Sequence, residues 1–226
     1  MSENIEKIMN VVSDVDARFE VTKFAETVYN YFVGNPRLSE GDLPVVHSVK
    51  YRIKNLEHLK KKIERKISIG VIITPSNVFE KITDMAGVRV LHLHQKQLQH
   101  IDREIRRKVG ANDWVLAEPP KAYTWDPEAE EYMRSLNLDV SRKDSFYTSV
   151  HYLLRPRSDS FICCEVQVRT LFEEIWGEVD HAMNYPDPSS SVACKEQLRV
   201  LSKIVGAGSR LVDAAFRVHE MERSEV

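Results

Sequence analysis

In Tyr147-x-Ser149-x-His151 and Glu165-x-Gln167-x-Arg169, a phenol, a hydroxyl, an imidazole, a carboxylate, an amide and a guanidinium recur at every second position. Side chains alternate along an extended chain, so each set shares one face of a strand. Cys163 falls in register with the second set. Val150, Tyr152, Leu154, Val166 and Val168 take the opposite face and read as core. A solvated sheet face is the plain alternative, but ionisable groups of such different chemistry gathered on one face point to a site. Asp84 stands just before Ala86-Gly87-Val88-Arg89, at the mouth of another strand. A carboxylate there and one at Glu165 can share Mg2+, which takes one or two carboxylates and fills its other positions with waters and substrate phosphates. A turn or cap role is the alternative for Asp84.

A run of cations comes earlier. Lys54, His58, Lys62 and Lys66 stand at successive i,i+4 positions, with Arg52, Lys60, Lys61 and Arg65 beside them and only Glu57 and Glu64 as relief. On a helix, each like-charge pair costs a few tenths of a kcal/mol. Phosphate oxygens would offset that cost; a solvated face is the other reading. No G-x-x-x-x-G-K-[ST] or G-x-G-x-x-G occurs, so a nucleotide would be held by side chains and not by a glycine-rich cradle. His92 and His94 have zinc-like spacing, but no partner Cys or His pattern supports a site. Cys163 and Cys164 read as buried packing residues.

These groups need elements to position them. Residues 3–35 read as helix with one break, ended by Asn35-Pro36. A loop runs from Pro36 to Pro44, a long helix covers 46–67, and Ser76 is a candidate cap for a short helix through Ile82. Strands are expected from Val88, weakly at Trp114–Ala117, and strongly at Tyr147–Arg155 and Phe161–Arg169, the last two joined as a hairpin through Pro156–Ser160. Residues 96–108 read as helix. Residues 119–146 read as a long irregular or partly helical excursion. Helix resumes at Thr170–Met183, where Ile175 and Trp176 are expected to anchor it. Asn184-Tyr-Pro-Asp-Pro-Ser breaks it, and a final helix covers about 194–219. The expected architecture is α+β, a mixed sheet in a mostly helical shell.

Composition sets the bounds. The chain has 226 residues and a formal net charge of -2, enough length for a real core and too little positive charge for bulk coating of nucleic acid, although a local anion site remains open. Apolar runs fall far short of the roughly 18 residues a membrane helix needs. The polar N-terminus lacks a secretory pattern. Three cysteines make a poor disulfide framework. The expectation is a cytoplasmic protein with free thiols.

Read in order, Arg52-x-Lys54, Asp84-x-Ala-Gly-x-Arg89, Lys143-x-x-x-Tyr147-x-Ser149-x-His151, Glu165-Val-Gln-Val-Arg-Thr170 and His181-x-x-x-Tyr185 resemble the synthetase domain of the RelA/SpoT alarmone enzymes. The resemblance spans about 46–186. It implies a nucleotidyltransferase-like mixed β-sheet flanked by helices, in one synthetase domain over 1–226 with helical extensions at both ends. It further implies ATP-dependent transfer of pyrophosphate to the 3′-hydroxyl of GDP or GTP, making (p)ppGpp. Carried over by position, Arg52, Lys54, Lys62 and Arg89 would bind ATP, with Arg52 also catalytic. Asp84 and Glu165 would hold Mg2+, and Glu165 would take the proton of the 3′-hydroxyl. Lys143, Tyr147, His151 and Gln167 would form the acceptor pocket, with Tyr147 stacked on the base.

Three positions depart from the family pattern. Phe146 stands where glycine is usual, Ser145 where asparagine can read the guanine edge, and His58 where serine is frequent. The first two motivate an alternative acceptor, an adenine nucleotide or the 3′ end of tRNA, as in toxin-type relatives. A non-catalytic nucleotide- or RNA-binding module is the remaining reading. The hydrolase domain of the bifunctional members has no counterpart here. The apolar positions of the final helix (Leu201, Ile204, Val205, Leu211, Val212, Ala215 and Phe216) would pack on the core or join subunits into a homo-oligomer.

Overall fold

The computed structural model describes residues 2–40, 43–184 and 189–224. Two helices open the chain, α1 (Ser2–Ser13) and α2 (Val15–Gly34), separated at Asp14, whose carboxylate accepts from the backbone N–H groups of Asp16 and Ala17. Asn35 then caps a single turn, α3 (Pro36–Ser39), with Pro36 in the first position, where its missing N–H is not needed. The remaining elements are β1 (Ser48–Ile53), α4 (Leu56–Ser68), α5 (Val78–Lys81), β2 (Ala86–His92), α6 (Leu98–Gly110), β3 (Val115–Leu116), β4 (Lys121–Thr124), α7 (Pro127–Ser135), β5 (Asp139–Arg142), β6 (Ser149–Arg155), β7 (Cys164–Thr170), α8 (Leu171–Asn184) and α9 (Val192–Ser224).

The strands form one mixed sheet in the order β1-β2-β7-β6-β4-β5, with β3 also pairing β6. The central pair β2/β7 is parallel, as is β4/β5, and the other pairings are antiparallel. One sheet face is apolar: Val88, Val90, Val150, Tyr152, Leu154, Val166 and Val168 are all buried. They share a core with Val28 and Phe32 of α2 and Ile101 and Ile105 of α6. The other face carries the polar residues, and α8 and α9 pack together beside it.

Three expectations change. The helix read over 46–67 is a strand followed by a helix. Val49, Tyr51 and Ile53 alternate with Lys50 and Arg52 and pair with β2, and Asn55 caps the shorter α4 by accepting from Glu57 N–H at 2.7 Å. The cationic row therefore breaks after Lys54, and only His58, Lys62 and Lys66 stay on the helix. The excursion over 119–146 holds β4, α7 and β5. Asp126-Pro127 starts α7 with a capping carboxylate 3.0 Å from Glu128 N–H. Ser76 does not cap α5, because its hydroxyl bonds Thr74 at 2.9 Å and Asn77 precedes the helix.

The α8–α9 seam rests on Trp176, buried and donating to the Leu198 carbonyl at 3.1 Å, whereas Ile175 is 53% exposed. His92 and His94 tie α9 to the end of β2: His92 faces the His94 carbonyl at 3.0 Å, and His94 lies 3.3 Å from Asp213 and stacks on Phe216. Cys163 and Cys164 are buried. Of the helix break expected at 184–189, residues 185–188 lie outside the described residues, and α8 ends at Asn184. No helix among the described residues is long and apolar enough to cross a membrane.

Candidate active site

The ladder places the functional residues in rows across the polar face. One row runs Lys50, Arg89, Gln167, His151, Lys121, and the next runs Arg52, Gly87, Glu165. Gly87 thus leaves an open floor between the guanidinium of Arg52 and the carboxylate of Glu165. Arg52 and Arg89 are diagonal neighbours on paired strands, a spacing of about 7–8 Å between backbones.

Asp84 sits at the entry to β2, where cations reach it from two elements. Lys54, at the end of β1, and Lys62 of α4 (2.6 Å) both contact Oδ2. Oδ1 is buried and has no hydrogen-bond partner. Burial pushes the Asp84 carboxyl up, but Lys62 and Lys54 outweigh it and hold the pKa at about 2. Burial lowers the Lys54 ammonium, and Asp84 only partly restores it. A cavity of about 680 Å3 opens here, lined by Arg52, Lys54, His58, Lys61, Lys62, Arg65, Asp84 and His181.

A second cavity of about 340 Å3 shares Arg52 and Asp84 with the first and adds Lys50, Arg89, Glu165, Gln167 and Glu178. Arg89 is held on its far side by α8, donating to Glu174 at 2.7 Å and to Glu178. Burial opposes its charge, and the two carboxylates more than compensate.

Glu165 closes the site on the other side. Its Oε1 lies 3.1 Å from His151 Nδ1, and its Oε2 accepts from Gln167 Nε2 at 2.7 Å. Burial raises the Glu165 carboxyl, and His151 and then Gln167 bring it below the ordinary range. The Tyr147 hydroxyl lies 2.9 Å from His151 Nε2 and accepts from Arg169. Arg169 also donates to Gln167 Oε1 at 2.8 Å and to Ser149 at 3.2 Å. Its guanidinium sits 4.8 Å from the Tyr147 ring centre. Phe146, just before, has φ 62, the left-handed conformation that favours glycine, and its ring meets Trp125 edge-on.

The structure therefore brings Arg52, Lys54, Lys62, Asp84, Arg89, Glu165 and Gln167 around two joined cavities, with His151 and Tyr147 directly behind Glu165. Lys143 stands apart, exposed just past β5, with its ammonium 4.5 Å from the Tyr123 ring centre. Tyr185 of the last motif lies outside the described residues. Sequence reasoning missed Glu174 and Glu178. Only the start of their helix was legible: Thr170-x-x-Glu173 is a capping box, closed at both ends by hydrogen bonds of 2.7 and 3.2 Å. It fixes the start of α8, so the i,i+4 pair that follows shares one face.

The donor set fits a hard divalent cation. The carboxylates of Asp84, Glu165 and Glu178 border the cavities, one oxygen of Asp84 is unpartnered, and open volume remains for water and phosphate. Among the described residues no cluster of three or more His, Cys, Asp or Glu could hold a metal alone, so a soft-metal cage is not the pattern.

A nucleotidyltransferase-like mixed sheet flanked by helices, with charged residues on the exposed face of its central strands, defines the class. The family model described as "Region found in RelA / SpoT proteins" matches residues 51–190, and the chain belongs to the RelA/SpoT family. Similar solved structures include small alarmone synthetase 1 from Bacillus subtilis, with 18% identity, TM-score 0.65, and 90% of this chain and 94% of that chain covered. The same enzyme bound to its product pppGpp gives 22%, 0.65, 89% and 93%. A GTP pyrophosphokinase family protein from Streptococcus pneumoniae gives 19%, 0.64, 91% and 90%. At these identities the likeness establishes the fold. No curated protein matches the sequence.

Proposed function

We propose that this protein transfers the β,γ-pyrophosphoryl group of ATP to the 3′-hydroxyl of GDP or GTP, releasing AMP and forming (p)ppGpp. The observation that carries the reading is the junction of the two cavities, where Arg52 and Asp84 belong to both and Glu165 faces them across Gly87. Family membership and the pppGpp complex of the Bacillus subtilis enzyme support it.

Arg52, Lys54 and Lys62 bind the ATP phosphates, and Arg89 holds the nucleotide from the neighbouring strand. Charge builds on phosphate oxygens as the α–β bond breaks, so fixed cations and positioning do most of the work. Asp84 and Glu165 would hold Mg2+, which would neutralise phosphate charge. Glu165 receives the proton of the attacking hydroxyl. Gln167, His151 and Tyr147 shape the acceptor side, and Lys143 attracts acceptor phosphates from the rim. The exposed Ile204 and Leu211 of α9 suit self-association.

A second reading keeps the chemistry and changes the acceptor to an adenine nucleotide or the 3′ end of tRNA. It is favoured by Ser145, which cannot supply an amide to a guanine edge, and by the number of cations lining the larger cavity. A non-catalytic nucleotide- or RNA-binding module is the third. The test is incubation with Mg2+ and ATP labelled at the γ position, offering GDP, GTP, ADP, ATP and bulk tRNA in parallel and separating products by thin-layer chromatography. Label on GDP or GTP is the expected result. Label only on tRNA or adenine nucleotides moves the assignment to the second reading, and no transfer to any acceptor leaves the third.

A further inference from the structure

The side chains behind Glu165 form a closed ring whose hydrogen-bond direction is fixed at one point. Arg169 can only donate. It gives one bond to the Tyr147 hydroxyl and one to Gln167 Oε1. Because Gln167 accepts on its oxygen, its amide nitrogen is turned to Glu165 Oε2. Because the Tyr147 oxygen accepts from Arg169, its own proton is available to His151 Nε2, 2.9 Å away. That nitrogen then accepts, the imidazole carries its proton on Nδ1, and Nδ1–H donates to Glu165 Oε1. Both arms leave one guanidinium and end on the two oxygens of one carboxylate. Arg169 is itself fixed by Ser149 and Glu174. One buried cation thus sets a hydroxyl rotor and an amide orientation, and the carboxylate, which only accepts, holds the imidazole proton on Nδ1.

We propose that the Tyr147 hydroxyl is a positioning group for Glu165, acting through His151, in addition to any contact its ring makes with the acceptor. The proposal rests on the pyrophosphoryl-transfer reading for its kinetic consequence and on geometry alone for the ring itself. A base misdirected by about 1 Å loses up to roughly 100-fold in rate, so the hydroxyl affects turnover. Binding of the acceptor through the aromatic face does not require it.

Tyr147→Phe separates the two roles, because it keeps the ring and removes the oxygen. The expected result is a kcat lowered about 10- to 100-fold, with KM for acceptor and for ATP within about twofold and a melting temperature lower by only a few degrees. In the His151→Leu background the same change adds less than about twofold, since the arm is already cut. A Tyr147→Phe enzyme with normal kcat, or one whose loss lies wholly in acceptor KM, overturns the proposal.

A second measurement needs no turnover. In protein labelled with 15N at histidine, the His151 imidazole, assigned by its disappearance in His151→Gln, is expected as the Nδ1–H tautomer. An Nε2–H tautomer in the unmodified protein overturns the ring whatever the enzyme's activity. Absence of transfer in the unmodified protein overturns the functional reading and leaves the ring to be judged by the tautomer.

Discussion

Asp84 precedes β2 and Glu165 pairs with Gly87 of β2, yet the two carboxylates are held by different means. Around Asp84 the partners are ammonium groups on flexible stems, reaching one oxygen from a strand end and a helix while the other oxygen is left buried and unpaired. Around Glu165 the partners are a ring nitrogen and an amide, the amide fixed by a further hydrogen bond from Arg169 and the ring by the Tyr147 hydroxyl, which accepts from Arg169. Lysine acts as a point charge that follows its anion, whereas a guanidinium fork dictates angles. The first arrangement is loaded with charge and incomplete. An unpaired buried oxygen costs about 1–3 kcal/mol, which a bound cation would recover. The second is complete before substrate arrives. The difference teaches that affinity and aim are built separately: the Asp84 side gains most from ligands, and the Glu165 side is organised in advance.

The sharpest way to break this contrast is Glu165→Gln. It should lower kcat by roughly 10²–10⁴-fold, as expected for loss of a general base, while calorimetric binding of a non-hydrolysable ATP analogue changes little. Near-normal turnover would remove Glu165 from the reaction. Asp84→Asn comes next, with activity lowered about 100-fold and a magnesium titration that flattens; an unchanged titration would show that the orphan oxygen is not a metal ligand.

A smaller effect tests Arg89. In the free protein it is engaged by Glu178, whose side chain is 58% exposed. Exposed pairs are worth little, so Glu178→Gln should lower ATP KM only about two- to fivefold without changing acceptor KM. A raised ATP KM would mean that Glu178 orients Arg89 and does not compete for it.

The smallest effect is on stability, behind the acceptor side. Burial raises the Glu173 carboxyl to about 7 against the pull of Thr170 and Arg169. The folded state therefore binds this proton more tightly than the unfolded chain. The group favours folding while protonated, and that contribution falls as pH rises from the ordinary carboxylate range to about 7. Glu173→Gln should flatten urea stability between pH 5 and 8 and add about 1 kcal/mol at pH 8. An unaltered slope would show that the seam hydrates this carboxylate.

How far the sequence discloses all this depends on the kind of signal. The alternation of Tyr147, Ser149, His151 and of Glu165, Gln167, Arg169 is a period-2 pattern, and it places the ring on one sheet face without a structure. The helix expected over 46–67 failed because Leu56, Leu59, Ile63 and Ile67 make a strong helical stripe that masks the short alternation of Val49, Tyr51 and Ile53 just before it. Only pairing with β2 decides the strand. In the 119–146 segment the partly helical expectation holds at α7, and the strands escape for a related reason: β4 and β5 are four residues each and are stabilised by neighbours far away in sequence. The Asp126-Pro127 start of α7 was legible and was passed over. Glu174 and Glu178 needed the geometry of α8 over the sheet, because nothing local tells a pair of helix carboxylates what it faces.

The parallel pairing of β2 with β7 has a kinetic meaning. The stretch from β1 to β2 brings Arg52, Lys54, Lys62 and Asp84 together from nearby sequence, and the β6–β7 hairpin does the same for His151, Glu165 and Gln167. Joining them requires Gly87 to find Glu165 across the chain between, a contact with a large loop-closure entropy. Each half thus closes over shorter loops than the β2–β7 ladder that joins them, and that one parallel pairing carries the entropic cost of bringing the two groups of charged residues together.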